Sequence, residues 1–334
     1  MNPPTCDELD DSHVLVAAQR VVSPTAAARC HPGAPTNRPA HAAATRLLHR
    51  CRAGDTAVWA EVHPWVSLTT GFLIIDDTTL DTLYRRAIEL VTRHWSGNHQ
   101  RVVVGITLIR MLWSDGNAHL PCDVRVYANA HDGLPKNDHV RAMVQAAAAR
   151  GLQPRLLAVE SWYASLEHLN LVRSLPWPWL PHLNANRLVN PDGLGHRPIR
   201  DVPIPAEHTV VHLTGNGVST VVAMVTPDSG SDDWATSDLA MSADQWVEDA
   251  RYRWRSEAYH RGIRQGCGSE RAQHRAARAQ RNPIGLALRA FLRLVCHRLW
   301  TGTSWGAANA AIVRKAIRVY LAHPRSTPAL NCVT

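Results

Sequence analysis

Residues 71–183 alternate short apolar segments with amphipathic ones, and this order constrains the fold more than any other feature of the sequence. Three strand-like segments come first, at 72–75, 101–113 and 119–128. A helix, a second buried strand, another helix and a proline-containing edge strand follow, at 136–151, 155–160, 162–175 and 177–183. This order predicts an α/β domain with a mixed sheet flanked by helices, in which the first three strands form an antiparallel meander.

Carboxylates are predicted at the ends of two of these strands. The first strand runs into Asp76 and Asp77, and the fourth ends at Glu160. A further acid, Glu257, lies on a helix that begins at a capping box formed by Ser242 and Gln245. Carboxylates at neighbouring strand ends and on a helix can hold two divalent cations roughly 3.5–4 Å apart, an arrangement suited to phosphodiester chemistry. The alternatives are turn or cap roles for the two aspartates and a helix-start role for Glu160.

Arginines surround Glu257 on its predicted helix. Arg253, Arg261 and Arg264 are three, four or seven residues away from it or from one another, so they share one helical face with it. Guanidinium groups beside a carboxylate can hold phosphates while the acid holds a metal. The alternative is a solvated helix with ordinary pairs, such as that between Glu257 and Arg261.

Positive charge is concentrated in the C-terminal third. The whole chain has a formal charge of +8, whereas residues 251–300 contain twelve arginines and two glutamates, a balance of +10. Such a surface attracts polyanions, and we predict double-stranded DNA as the partner, with Arg278 and Arg281 among its contacts. The alternative is a soluble helical surface that is rich in arginine.

Several classes of protein are disfavoured by the composition. Seven scattered cysteines without a CxxC pair argue against a disulfide framework or a zinc knuckle. No apolar run is long enough to span a membrane, and the acidic N-terminus lacks a signal core. We therefore expect a cytoplasmic, nucleoid-associated protein with no membrane partner.

The sequence indicates three regions. Residues 1–66 read as short helices, which are either a DNA-binding module or a helical cap on the core. Residues 67–322 form the α/β core, which three short strand-like runs interrupt as a small antiparallel β insertion at 198–240. Residues 323–334 form a C-terminal tail. Within the core, Asn282 and Pro283 are predicted to end one arginine-rich helix and begin another.

Eight longer motifs can be compared with known families: IIDDTTLDTLY, IELVTRHWSGNHQRVV, GITLIRMLWSDG, KNDH, ESWYASLEHLNLVRS, NRLVNPDG, SEAYHRGIRQ and RAARAQRNPIGLALRAFLRL. With them the chain resembles the DDE transposases of bacterial insertion sequences, in the branch whose RNase H-like core carries a β insertion. The resemblance extends over nearly all of residues 71–324. It implies an RNase H-like mixed sheet and an enzyme that cuts and then joins DNA at the ends of a mobile element.

The resemblance also implies a set of site residues. Asp77, Glu160 and Glu257 correspond to the three catalytic acids, with Asp76 as an additional metal ligand. They would bind Mg²⁺, for which Mn²⁺ is an alternative. The implied partners are the element ends and the target DNA, with a homodimer assembled on DNA as a further expectation.

Two departures from the family pattern stand out. Glu160 occupies a position that is normally aspartate, so its carboxylate is one methylene further from the backbone. The tyrosine–arginine–glutamate–lysine signature falls on Ala250, Arg253, Glu257 and Arg264, which keeps two of the four residues. Two other interpretations therefore stay open: a catalytically impaired, DNA-binding remnant of a transposase, and a host nuclease on the same core.

Overall fold

The computed structural model describes residues 8–18, 23–30, 41–51, 55–81, 88–96, 101–128, 130, 133–205, 208–226, 230–269 and 274–322. Its helices are α1 (Glu8–Ala17), α2 (Pro24–Cys30), α3 (His41–Arg50), α4 (Asp55–Val62), α5 (Lys136–Ala149), α6 (Leu166–Ser174), α7 (Ala243–Cys267), α8 (Ala277–Thr301) and α9 (Trp305–Ala322). Its strands are β1 (Phe72–Asp81), β2 (Thr92–Ser96), β3 (Arg101–Ser114), β4 (His119–Tyr127), β5 (Leu156–Val159), β6 (Trp179–Pro181), β7 (Leu188–Asn190), β8 (Arg197–Pro198), β9 (Thr209–Leu213), β10 (Gly217–Thr226) and β11 (Gly230–Thr236).

The first six of these strands form one mixed sheet. Its order is β2-β3-β1-β5-β6, and β4 pairs with β3 as well. β1 is antiparallel to β3 and parallel to β5, and β6 is parallel to β5. The mixed sheet and the antiparallel meander of β1, β3 and β4 are thus confirmed.

The prediction that the first strand ends at its two aspartates is wrong. β1 continues to Asp81, so Asp76 and Asp77 lie in the middle of the strand. The reason is that β3 has fourteen residues and offers ladder partners as far as Gly105. Backbone pairing of this kind does not depend on side-chain polarity. β5, by contrast, ends at Val159, so Glu160 does follow a strand end.

The remaining strands form a second sheet, with the order β11-β10-β9-β7-β8 and antiparallel pairing throughout the described strands. This sheet corresponds to the predicted β insertion at 198–240, but its first strand begins at Leu188. A bridge between His182 and Trp234 joins it to the end of β6. Trp234 is buried, so the two sheets share packed side chains as well as backbone contacts.

Two long helices lie next to each other after the second sheet. α7 begins at the predicted capping box, in which the Ser242 hydroxyl accepts from the Gln245 backbone. The predicted break at Asn282 and Pro283 is wrong, because α8 passes through Pro283 without ending. Burial explains this: α8 has buried residues on both sides of the proline, such as Ala279 before it and Ile284 after it, and the Asn282 amide donates to the Leu48 carbonyl at 2.6 Å. Together these contacts offset the roughly 3 kcal/mol that an internal proline costs.

Helices of the N-terminal region pack against α8. Ala43, Leu47, Leu48 and Cys51 form a small buried cluster with Leu286. No helix within the described ranges has both the length and the apolar character needed to cross a membrane. The predicted tail at 323–334 lies outside the described residues.

The close approach of α7 and α8 depends on Gly262. A Cβ atom at this position would lie 2.3 Å from Cζ of Phe291, whose ring is buried. We expect Gly262→Ala to lower the free energy of unfolding by about 1–3 kcal/mol, since the core has no room for the added methyl group. Denaturant unfolding measures this. Gly306→Ala is the control, because it adds a methyl group to α9 in open space; an equal loss in both variants would contradict the packing argument.

Candidate functional site

Asp76 and Asp77 are consecutive residues of β1, so their side chains point to opposite faces of the sheet. Asp76 is only 5% exposed, and its partner across the antiparallel ladder is Arg110 of β3. Side chains of directly paired residues lie on the same face. One face of β1 therefore carries Asp76 with Arg110, and the other carries Asp77.

Asp77 accepts two hydrogen bonds on one oxygen atom. The Tyr163 hydroxyl donates to Oδ2 at 2.5 Å, and the Lys136 ammonium donates to the same atom at 2.8 Å. Tyr163 belongs to a 3₁₀ turn at Ser161–Tyr163, directly after β5, and Lys136 is the first residue of α5. Two different elements thus hold one carboxylate against β1.

Glu160 directly follows β5, the strand next to β1. It follows Val159, which is the parallel ladder partner of Ile75, so its backbone is level with that of Asp76 on the neighbouring strand. Adjacent strands are roughly 4.8 Å apart. The pKa of Tyr163 is raised above its usual value, first by burial and by the charge of Asp77, and then by Glu160 and Asp76. All three acids therefore act on a single phenol group.

α7 packs over the face of β1 that carries Asp76. A guanidinium nitrogen of Arg264 donates to the Thr78 hydroxyl, two residues after Asp76 on the same face. The Arg110 guanidinium lies 5.9 Å from the ring centre of Tyr259, which also belongs to α7. Through these contacts, one face of α7 packs against β1.

Two predicted site residues of α7 can be placed by backbone position only. Glu257 precedes Arg264 by seven residues, so its position falls on the helical face that contacts β1. Arg253 lies a further turn back along the same helix. α7 contacts β1 on the face that carries Asp76, so the backbone of Glu257 lies on the side of the sheet opposite to Asp77. The side chains of Glu257 and Arg253 are outside the described part of the structure, and the convergence of all three acids stays a prediction.

Arg110 is an unusual residue for a sheet interior. Its side chain is 1% exposed, and Nε and Nη2 have no hydrogen-bond partner among the described residues. Burial lowers the pKa of its guanidinium, and the nearby charge of Asp76 opposes that shift. A buried cation without a counter-ion destabilises the folded protein, so the carboxylate of Asp76 is needed to stabilise Arg110 at this position.

The predicted DNA-binding arginines fall into two groups. Arg261 and Arg264 are exposed on α7, the helix that contacts β1. Arg278 is exposed at the start of α8 and donates to the Arg50 carbonyl at 3.5 Å, next to the N-terminal region. Arg281 is half-buried one turn further along. The basic residues therefore extend from the acids on β1 toward α3.

The donor set suits a hard divalent cation. Mg²⁺ prefers oxygen ligands and needs only one or two carboxylates from the protein. Asp77 retains Oδ1, because both of its described hydrogen bonds use Oδ2. Among the side chains that the structure describes, no group of three or more His, Cys, Asp or Glu residues forms a ready-made metal cage. A cation bound by Asp77 would take Oδ1 and a ligand from Glu160, together with groups outside the described set, because Asp76 lies on the other face of β1 opposite Arg110.

Sequence reasoning missed three residues of this site: Lys136, Tyr163 and Arg110. Lys136 and Tyr163 occur in the motifs KNDH and ESWY, but nothing in their local sequence indicates a contact with Asp77. The position of Arg110 in the sequence does indicate a special role, because it is a single charged residue inside a long apolar strand. Such a residue needs a buried counter-ion, and the aspartates of β1 were the available candidates.

Comparison with solved structures identifies proteins of similar fold. The chain is similar to the piggyBac transposase in its cryo-EM synaptic complex with hairpin DNA, with a TM-score of 0.52 and 10% sequence identity. The match covers 96% of this chain and 73% of the other. No protein-family model matches the sequence, and no curated protein matches it. At this identity the similarity establishes a transposase-like fold and leaves the chemistry to be argued from the residues.

Proposed function

We propose that this protein is a DNA transposase that cleaves the ends of an insertion sequence and joins them to target DNA in a metal-dependent reaction. One observation carries the proposal: Asp76 and Asp77 of β1 lie level with Glu160, which directly follows the neighbouring strand β5, and the arginine-rich helix α7 contacts β1 through Arg264. The transposase-like fold supports it. We also propose that the core is RNase H-like, with β1 as its central strand.

Each acid has a distinct part in this proposal. Asp77, Glu160 and Glu257 would hold Mg²⁺, or Mn²⁺ in its place; Asp76 lies on the other face of β1 opposite Arg110 and is left out of this ligand set. The metal would activate the attacking oxygen and stabilise the leaving oxygen of a phosphodiester. Water would serve as the nucleophile for cleavage and a DNA 3′-hydroxyl for joining, so the protein needs no covalent intermediate.

The basic residues would position the DNA backbone. Arg253, Arg261 and Arg264 lie on the helix next to the acids, where guanidinium groups can hold phosphates in two hydrogen bonds. Arg278 and Arg281 would extend the contact along α8. Contacts of this kind fix the register of DNA and are independent of its sequence. A homodimer assembled on two element ends is part of the proposal.

A second candidate function rests on Glu160. Glutamate places its carboxylate one methylene further from the backbone than aspartate, and catalytic geometry tolerates displacements of about 1 Å poorly. The chain would then be a remnant that binds DNA without turning over. A host nuclease on the same core, which cuts without joining, is the remaining alternative.

A strand-transfer assay with labelled element-end DNA and a target plasmid in Mg²⁺ separates these functions. We expect joined products from the natural protein and none from Glu257→Gln, which removes a charge but little volume. Products that are cut but never joined would favour the nuclease. A gel shift without any product, in Mg²⁺ and in Mn²⁺, would contradict the transposase proposal and favour the remnant.

Glu160→Asp tests how the side-chain length limits the reaction. Because both residues carry one negative charge, we expect DNA affinity to stay nearly unchanged while the rate of cleavage and joining rises. Single-turnover kinetics and a gel shift on the same preparations measure the two quantities. Mn²⁺, which accepts the same oxygen ligands, is expected to restore part of the rate of the natural protein. A lower rate for Glu160→Asp would show that glutamate is the suited ligand here.

A further inference from the structure

Asp77 is held asymmetrically by its neighbours. Lys136 and Tyr163 both donate to Oδ2, whereas Oδ1 accepts no hydrogen bond from the described residues. The Lys136 side chain is 16% exposed and that of Asp77 is 23% exposed, so solvent screens this ion pair only in part. The Asp77 carboxylate is therefore fixed through Oδ2, and neither donor binds Oδ1.

Lys136 does not stabilise its own helix. It is the first residue of α5, where the helix dipole disfavours a positive charge. Its ammonium lies 2.8 Å from Asp77 Oδ2 and 5.7 Å from the ring centre of Tyr127. The acid and the aromatic ring therefore determine where this cation lies.

Among the described residues, the charges around Asp76 and Asp77 nearly balance. Asp76, Asp77 and Glu160 supply three negative charges near Tyr163. Arg110 opposes Asp76, and Lys136 opposes Asp77. The two basic residues approach from opposite faces of the sheet, since the two aspartates alternate along the strand. A divalent cation arriving at Oδ1 of Asp77 would thus meet a positive charge already bound to the same carboxylate.

We propose that Lys136 is a counter-cation of Asp77, which orients the carboxylate through Oδ2 and weakens the binding of a divalent cation there. The proposal rests on the proposed function for the identity of the metal site. Like charges a few ångströms apart in a partly buried site repel by more than the roughly 1.4 kcal/mol that corresponds to a tenfold change in affinity. Tyr163 differs from Lys136 in that it orients the same oxygen without adding charge.

Lys136→Met tests this by removing the charge while keeping most of the side-chain volume. We expect MnCl₂ to bind at least about tenfold more tightly than to the natural protein, as measured by calorimetric titration without DNA. The melting temperature without metal should fall, because Asp77 loses its counter-ion, and MnCl₂ should raise it further than in the natural protein. Lys136→Gln provides a second neutral variant if the methionine variant folds poorly.

Two controls separate this role from a purely structural one. Lys136→Arg keeps the charge and should leave the affinity for MnCl₂ within about threefold of the natural value. Tyr163→Phe removes the other donor to Oδ2 without changing charge, so it should lower the melting temperature without tightening MnCl₂ binding. An affinity that is unchanged or weaker in both neutral Lys136 variants would overturn the counter-cation role and leave the metal site standing. Absence of MnCl₂ binding in every variant would overturn the metal site itself and this inference with it.

Discussion

The pairing of β1 with a strand on each side is the constraint on which the rest of the site depends. Its antiparallel ladder with β3 sets Arg110 opposite Asp76, and its parallel ladder with β5 brings Glu160 level with the same residue. A slip of one residue would exchange the faces of Asp76 and Asp77, and would separate each acid from its basic partner. Leu73, Ile74 and Ile75 are all buried, so both faces of the strand resist such a slip.

Electrostatic compensation allows this polar cluster to exist within a packed sheet. Asp76 and Asp77 each have a cation, Arg110 on one face and Lys136 on the other. α7 then lies across the first face through Arg264 and Tyr259, while Tyr259 packs edge-on against Phe291 of α8. The arginine-rich helices are therefore fixed to the sheet by the same contacts that surround the acids, which places a basic surface beside a carboxylate cluster.

Much of this arrangement could be predicted from the sequence, because it follows from periodicity and capping. The order of strands and helices in the first sheet apart from β2, the capping box at Ser242 and the second antiparallel sheet all have local signals. The errors concern features that tertiary contacts decide. β1 continues past Asp77 because β3 supplies partners, and α8 passes through Pro283 because the helix is buried on both sides of it. The contact between Lys136 and Asp77 joins residues 59 positions apart, and no local pattern specifies it.

The central claim about this site is that a divalent cation binds at Asp77. Crystals grown with MnCl₂ and measured at the manganese absorption edge would locate that cation by its anomalous scattering. We predict an anomalous peak within coordination distance, roughly 2.0–2.3 Å, of Asp77 Oδ1 and of a carboxylate oxygen of Glu160 or Glu257. Manganese bound only elsewhere, with Lys136 still paired to Asp77 and no peak between β1, β5 and α7, would contradict it.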